Sequence, residues 1–140
     1  MASVGALPRS RRLILASGGI LALARGDGVA RAALERARRE GYVVVIPTPV
    51  LTQVHRGGRD HAWVDRVVNA VDALLPTSAQ IARRAGELLA HAGMSDAVDA
   101  IVAAEALQSV PSLVLTSDQG DILQLIEGQP DATAVRVIAI

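Results

Sequence analysis

The sequence predicts an α/β fold of three layers, in which helices cover both faces of a central parallel sheet. Short, continuously apolar runs recur along the chain, as in strands that are buried on both faces. Longer segments with helical periodicity separate these runs, and such alternation favours a parallel sheet over a helical bundle or a sandwich. The length of 140 residues is that of one domain. We therefore expect an N-terminal extension over 1–12 and a single domain over 13–140.

The first predicted elements are a buried strand and two helices. Leu13-Ile14-Leu15 is apolar and is followed by Ser17-Gly18-Gly19, a pattern typical of a strand that enters a helix through a tight turn. The next helix is predicted over 29–40, because apolar residues recur at helical spacing between Asp27, a good cap, and Gly41, a good stop.

A second buried strand and two further helices follow. The β-branched run over 42–46 predicts the strand, and Pro47 and Pro49 are expected to end it and to open a short helix over 50–56. The glycine pair after that helix separates it from another helix, which is predicted over 60–70.

The second half of the chain predicts three helices and two strands. Thr77 or Ser78 is expected to cap a helix that ends at Gly93, and Ser95 is expected to cap a helix that runs to Gln108. The remaining predicted elements are a strand over 113–115, a short helix over 122–127 and a last strand over 134–140.

Residues 9–24 also have the outline of a secretory signal peptide, with paired arginines, an apolar run and Ala-Leu-Ala. The run is interrupted by Ser17-Gly18-Gly19, and a well-patterned helix follows it, so we favour a strand and a helix here. No other segment is long enough to span a bilayer. We expect a cytoplasmic protein without a membrane partner.

The composition excludes several classes of function. Fourteen basic residues balance 14 acidic ones, so no net charge holds the molecule on nucleic acid or an anionic membrane, and any polyanion must be bound locally. All the basic residues are arginine, whose planar guanidinium suits phosphate and carboxylate. The absence of cysteine excludes a disulfide scaffold, a thiol nucleophile and a cysteine zinc site. Only Tyr42 and Trp63 are aromatic, which argues against a base-stacking platform.

Two pairs of aspartates lie at the beginnings of predicted helices, Asp96 with Asp99 and Asp118 with Asp121. The spacing of three puts each pair on one helix face, and the second pair follows a strand at the sheet edge where ligands bind. Any of them could simply stabilise a helix N-terminus, an interpretation we favour for Asp96 and Asp121 taken singly. Asp99 lies about one turn inside an apolar helix, where a carboxylate is costly unless a cation meets it. Mg²⁺ or Mn²⁺ would relieve the repulsion among the four.

With these residues the sequence resembles the PIN-domain proteins, and among them the VapC-type ribonuclease toxins of toxin–antitoxin systems. The resemblance runs from Leu13 to the end of the chain and implies a PIN-like α/β/α sandwich with a central parallel sheet. It rests on four fragments in the family's order, Leu13-Ile14-Leu15-x-Ser17-Gly18, Val50-Leu51-Thr52-Gln53-Val54, Asp99-Ala100-Ile101-Val102-Ala103-Ala104 and Thr116-Ser117-Asp118-x-x-Asp121.

The resemblance implies an endoribonuclease that depends on Mg²⁺ or Mn²⁺. Asp99 and Asp118 would be metal ligands together with residue 16, and Asp96 and Asp121 would hold metal-bound waters or a second ion. Thr116 and Ser117 could orient Asp118 or a phosphate, although we favour a plain turn at the end of the strand.

Two positions depart from the family pattern. Ala16 stands where the family has its first metal-binding Asp, and Gln53 stands where it has a Glu. Alanine cannot bind a metal and glutamine is a neutral ligand, so we expect this chain to be inactive or weakened. Ala16 is either an introduced Asp→Ala change or the native residue of a weakened relative, and we favour the first; Gln53 we take as native.

The partners follow partly from the residues and partly from the resemblance. Arg56 and Arg59 flank the glycine pair and are candidates for binding RNA, with a solvated loop as the alternative. The resemblance implies a VapB-like antitoxin, whose helix lies in an apolar groove near Leu21 and Leu23 and whose tail can place an Arg among the carboxylates, and it implies a homodimer.

Three functions therefore compete. The first is a metal-dependent ribonuclease toxin. The second is a non-catalytic PIN-fold module that binds antitoxin or RNA, which Ala16 and Gln53 support if both are native. The third is an acidic metal site with a phosphatase or nuclease activity on DNA, because a carboxylate cluster alone does not name the nucleic acid.

Overall fold

The apolar runs of the sequence lie side by side in one parallel sheet. The structure, a computed structural model, describes residues 11–140. Its strands have the order β3-β2-β1-β4-β5 and all pair in parallel. They are β1 (Arg12–Leu15), β2 (Val43–Pro47), β3 (Ala73–Leu75), β4 (Ser112–Thr116) and β5 (Val135–Ala139). The central strand β1 is fully buried, with Leu13, Ile14 and Leu15 at 0% exposure, as its apolar sequence requires.

Helices cover both faces of this sheet. They are α1 (Ser17–Ala24), α2 (Gly28–Arg39), α3 (Leu51–Val54), α4 (Ala62–Ala70), α5 (Ala79–Ala92), α6 (Ala97–Gln108) and α7 (Gln119–Ile126). Ser112 in β4 donates a hydrogen bond to the Ala106 carbonyl of α6, whereas the next residue, Leu113, lines a pocket beside α2. Because neighbouring residues of a strand point to opposite faces, α2 and α6 lie on opposite sides of the sheet. The predicted α/β sandwich with a central parallel sheet is confirmed.

The structure corrects several details of the element predictions. Helix α7 begins at Gln119 and not at residue 122, and α3 ends at Val54 and not at residue 56. Strand β3 was not predicted, because it has only three residues, one of them exposed, and a single neighbouring strand. The cap of α6 is Asp96 and not Ser95, since the Asp96 carboxylate accepts the hydrogen bond from the Asp99 amide at 3.0 Å. Other caps agree with the sequence: Asp27 caps α2 and Ser78 caps α5.

The segment with the outline of a signal peptide forms the middle of the fold where the structure describes it. Residues 12–24 contain the central strand β1 and helix α1. The predicted extension over 1–12 lies outside the described residues except for Arg11 and Arg12, and Arg12 already belongs to β1. Within residues 11–140, no helix combines the length and the apolar character that crossing a membrane requires.

Candidate active site

The candidate site lies at the carboxyl ends of the adjacent strands β1 and β4. The two strands pair in register, Leu15 beside Leu115, and the Ala16 amide continues the ladder by donating to the Leu115 carbonyl at 3.1 Å. Residue 16 therefore leaves the sheet next to Thr116, two residues before Asp118. This edge is where ligands bind in open parallel sheets.

Helix α1 packs closely against the turn that leads from β4 to α7. A Cβ atom added to Gly18 would lie 2.6 Å from the Cβ of Ser117 and 2.8 Å from its backbone nitrogen. No larger residue fits at this distance, so glycine permits the contact. The close approach joins the segment after residue 16 to the turn that positions Asp118.

Asp118 lies between β4 and α7, and its backbone is fixed by a buried hydroxyl. The Thr116 side chain is 1% exposed, and its Oγ1 accepts a hydrogen bond from the Asp118 amide at 2.9 Å. Asp118 occupies the N-cap position of α7, yet its carboxylate accepts no capping bond there. The Asp118 carboxylate is therefore not occupied in capping the helix. Asp121 lies in the first turn of the same helix.

The other pair of carboxylates begins α6. Asp96 caps the helix through the Asp99 amide, which leaves the second oxygen of Asp96 outside that bond. Asp99 itself is only 5% exposed and is followed by the buried Ala100, so the burial expected from its apolar neighbours is confirmed. A carboxylate so placed is costly to ionise without a compensating charge.

The charges of the other three aspartates act on Asp99. Burial raises the pKa of Asp99 from 3.8 to about 6, and the negative charges of Asp96, Asp118 and Asp121 contribute in the same direction. These three residues come from two different helices, so the fold places both predicted pairs within electrostatic reach of one buried carboxylate.

The donor set fits a hard cation in charge and atom type, because carboxylate oxygens are the ligands that Mg²⁺ and Mn²⁺ prefer. The number of carboxylates that lie close to one another is smaller than in a complete metal site. Within residues 11–140, no group of three or more His, Cys, Asp or Glu side chains lies close enough to hold a metal ion. Ala16, 3% exposed at the end of β1, has no side-chain oxygen to offer a metal ion.

The remaining predicted site residues differ from one another in exposure and in hydrogen bonding. Gln53 is half-buried in the short helix α3, and Ser117 is exposed. Arg56 follows α3 by two residues, and its guanidinium donates to the carbonyls of Thr52 and His55. Arg59 is exposed at the start of a 3₁₀ turn. Both side chains are exposed, and their binding of RNA stays a prediction.

A groove on the α1–α2–α4 side was only partly anticipated by the sequence. It has a volume of ≈ 650 Å³ and an apolar floor that includes Leu15, Leu34 and Val67. Leu23 lines it as expected, but Leu21, 41% exposed, is not among its lining residues, because it lies on another side of α1. The floor reaches Leu15, the residue before the candidate site.

The rim of the groove is basic and aromatic. It includes Arg25, Arg31, Arg38, Arg66 and Trp63. Among the described residues none of these arginines forms a salt bridge; Arg38 donates to the Ala70 carbonyl and Arg66 stacks 4.4 Å from the Trp63 ring centre. The spacing of Arg31, Leu34 and Arg38 on one face of α2 is the signal that could have predicted this rim.

Comparisons with known proteins bear on the fold. Neither a family model nor a curated protein sequence matches the chain. The chain is similar to a chain in the crystal structure of VapBC2 from Rickettsia felis bound to a DNA fragment from their promoter, with a TM-score of 0.65 and 14% sequence identity. The match covers 91% of this chain and 98% of the other. The two chains share the fold, an α/β/α sandwich.

Proposed function

We propose that the chain is a VapC-type endoribonuclease that depends on Mg²⁺ or Mn²⁺, that Ala16 weakens its activity, and that a VapB-like antitoxin binds it. One observation supports the proposal most directly: the buried Asp99 carboxylate lies within electrostatic range of Asp96, Asp118 and Asp121, near the carboxyl ends of β1 and β4. The sequence fragments and the fold shared with a VapBC2 chain support the same family.

In this proposal Asp99 and Asp118 hold the metal ion, and Asp96 and Asp121 hold its waters or a second ion. A bound Mg²⁺ or Mn²⁺ supplies a means to activate water and to stabilise the leaving oxygen of a phosphodiester. The protein positions the ligands: Asp96 fixes the first turn of α6, which carries Asp99, and Thr116 fixes the backbone of Asp118. Arg59 contributes a positive charge for the RNA backbone.

Residue 16 decides how active this site is. An aspartate there would add one oxygen ligand beside Thr116 and Asp118, at the end of the strand ladder. We expect Ala16→Asp to increase Mn²⁺-dependent cleavage of structured RNA by about 10- to 100-fold or more, since losing a group that supports a metal site typically costs this much. The measurement is the rate of RNA cleavage with Mn²⁺ and with EDTA.

Ala16→Asn is the matched control, because it has the same size without the charge, and it should stay near the activity of the starting chain. A folded Ala16→Asp variant that cleaves no RNA and causes no growth arrest on expression would contradict the ribonuclease proposal. Cleavage of DNA but not of RNA would favour the third function instead.

A binding module without catalysis is the second candidate. Two observations favour it: Ala16 at the position of the first ligand, and no group of three possible metal ligands within residues 11–140. It predicts a folded Ala16→Asp variant that binds antitoxin and remains inactive. Homodimer formation is expected by analogy in either case, and sedimentation equilibrium measures it.

The groove is the proposed site of the antitoxin. Its apolar floor suits the apolar face of an amphipathic helix, and the arginines on its rim suit acidic side chains that flank that face. Leu15, the residue before position 16, lines the groove, so a helix bound there with its carboxyl end at Leu15 would bring its following tail close to residue 16. An arginine in that tail would then meet the four aspartates.

Charge reversal tests this site. We expect Arg31→Glu together with Arg66→Glu to weaken binding of the product of a small neighbouring reading frame by at least about 30-fold, since truncating paired interface charges costs about 2 kcal/mol or more. Arg83→Glu, an exposed residue of α5 that does not line the groove, is the control. Isothermal titration calorimetry of the purified pair measures the effect, and equal losses in both variants would contradict the groove assignment.

A further inference from the structure

We propose that Gln119 is a positioning residue that holds Asp118 at the candidate site by tying the first residue of α7 to the edge strand β5. The half-buried side chain of Gln119 donates a hydrogen bond from Nε2 to the Val137 carbonyl at 3.2 Å. This proposal rests on the proposed function, in which Asp118 is a metal ligand.

Asp118 needs support from both sides because neither neighbouring element contains it. It follows the last residue of β4 by two positions and precedes α7, with φ −114° and ψ 51°, outside both strand and helix values. On the amino side, the Thr116 hydroxyl holds its amide. On the carboxyl side, the Gln119 amide group holds the adjacent residue to β5, so two hydrogen bonds bracket Asp118.

The hydrogen bond from Gln119 to Val137 acts at the first turn of α7, which has no side-chain cap. The first amides of a helix have no partner within it, and an N-cap side chain usually compensates for one of them. Asp118 gives no such cap to α7. A bond from Gln119 to β5, which pairs with β4 at Val114 beside Val137, instead fixes the first turn to the sheet. The turn then keeps both Asp118 and Asp121 near Asp99.

The same helix contains a matched control. Gln124 also donates from Nε2 to a distant backbone carbonyl, that of Ala92, at 3.3 Å. It has the same side chain and a bond of almost the same length, but it lies at the other end of α7. Replacing either glutamine by methionine keeps the length of the side chain and removes the donor.

Amide hydrogen exchange gives the direct test, because it needs no metal and no activity. In the otherwise unchanged chain we expect Gln119→Met to accelerate exchange of the Asp118 and Ile122 amides by about 5-fold or more, as local opening of the turn becomes easier. The Ile122 amide reports on this turn because it donates to the Asp118 carbonyl at 3.1 Å. Gln124→Met should change both rates by less than about 2-fold.

Calorimetric titration with Mn²⁺ tests whether the hydrogen bond between Gln119 and Val137 affects metal binding at the candidate site. In the Ala16→Asp chain, Gln119→Met should raise the Mn²⁺ dissociation constant by about 10-fold, and Gln124→Met should leave it within about 2-fold. A purely structural role predicts equal effects of the two variants, and unchanged Asp118 exchange in Gln119→Met overturns the proposal. If the Ala16→Asp chain binds no Mn²⁺, the proposed function fails, and the exchange rates still decide whether Gln119 holds Asp118.

Discussion

Asp99 combines burial with three negative neighbours, and this combination makes it expensive to ionise. Its folded pKa of about 6 lies above the usual 3.8, so the folded protein binds this proton more tightly than the unfolded chain does. Protonated Asp99 therefore stabilises the folded state relative to ionised Asp99. This stabilisation is full below about pH 4, and it is lost as the pH rises through about 6 and Asp99 ionises.

We expect the metal-free protein to become more stable as the pH falls from about 7 to about 5, and Asp99→Asn to remove this dependence. The same variant should gain up to roughly 3 kcal/mol at neutral pH, because about two pKa units are involved. Urea unfolding in EDTA measures both effects. Asp60→Asn, at an exposed position outside the cluster, is the control, and a loss of stability in the Asp99→Asn variant at neutral pH would contradict the expectation.

The burial of Asp99 could be predicted from the chain because its neighbours are alanine, valine and isoleucine. The capping role of Asp96 could be predicted only to within one residue, since Ser95 is an equally good cap by type. The contact between Gln119 and Val137 could not be predicted, because it joins residues 18 positions apart through the packing of a helix on an edge strand.

At the scale of elements, the apolar runs were sufficient to predict four of the strands. The strands β1, β2 and β4 are buried on both sides, which leaves a continuous apolar pattern that a three-residue edge strand such as β3 does not show. The groove between α1, α2 and α4 was not predictable in the same way. Its shape depends on how far apart three helices pack, and periodicity indicates only which face of each helix is apolar.

Replacement by alanine should have opposite effects on the stability of two helical glycines. One of them, Gly18, lies in the contact between α1 and the β4–α7 turn, and the other, Gly86, does not. Gly18→Ala should destabilise the fold by about 1–3 kcal/mol, because the new methyl group would overlap Ser117. Gly86→Ala, within α5 with open space around it, should stabilise by up to about 1 kcal/mol through helix propensity. Urea denaturation compares the two variants.

Partial recovery of stability in Gly18→Ala with Ser117→Gly would show that the Ser117 side chain is the obstacle. A Gly18→Ala chain as stable as the starting protein would mean that α1 does not approach the turn this closely. RNA cleavage by the same variant in the Ala16→Asp chain reports whether the displaced turn also carries Asp118 out of place.

Over the whole molecule 14 basic and 14 acidic residues give a net charge of zero, but some of these charges form two local regions of opposite sign. Four aspartates gather at the carboxyl edge of the sheet, and four arginines surround the groove. The repulsion within the acidic region opposes folding, so a cation that binds there must stabilise the entire domain.

We expect saturating Mn²⁺ to raise the melting temperature of the Ala16→Asp chain by roughly 5–10 °C, since ligand at about 100 times its dissociation constant adds about 2.7 kcal/mol. The starting chain should gain much less, because the Ala16 side chain supplies no oxygen ligand. Scanning calorimetry with and without EDTA measures the shift, and Asp99→Asn in the same background should abolish it. Equal shifts in all three chains would indicate non-specific binding.

Trp63 gives the molecule a built-in optical reporter. It is the single tryptophan of the chain, it is 62% exposed, and it lies on the rim of the groove against Arg66. Its fluorescence therefore arises from one known place, and covering that place changes the solvent around one indole only. We expect a ligand that covers Trp63 in the groove to shift the emission to the blue, and a cation bound at the aspartates to leave the spectrum unchanged.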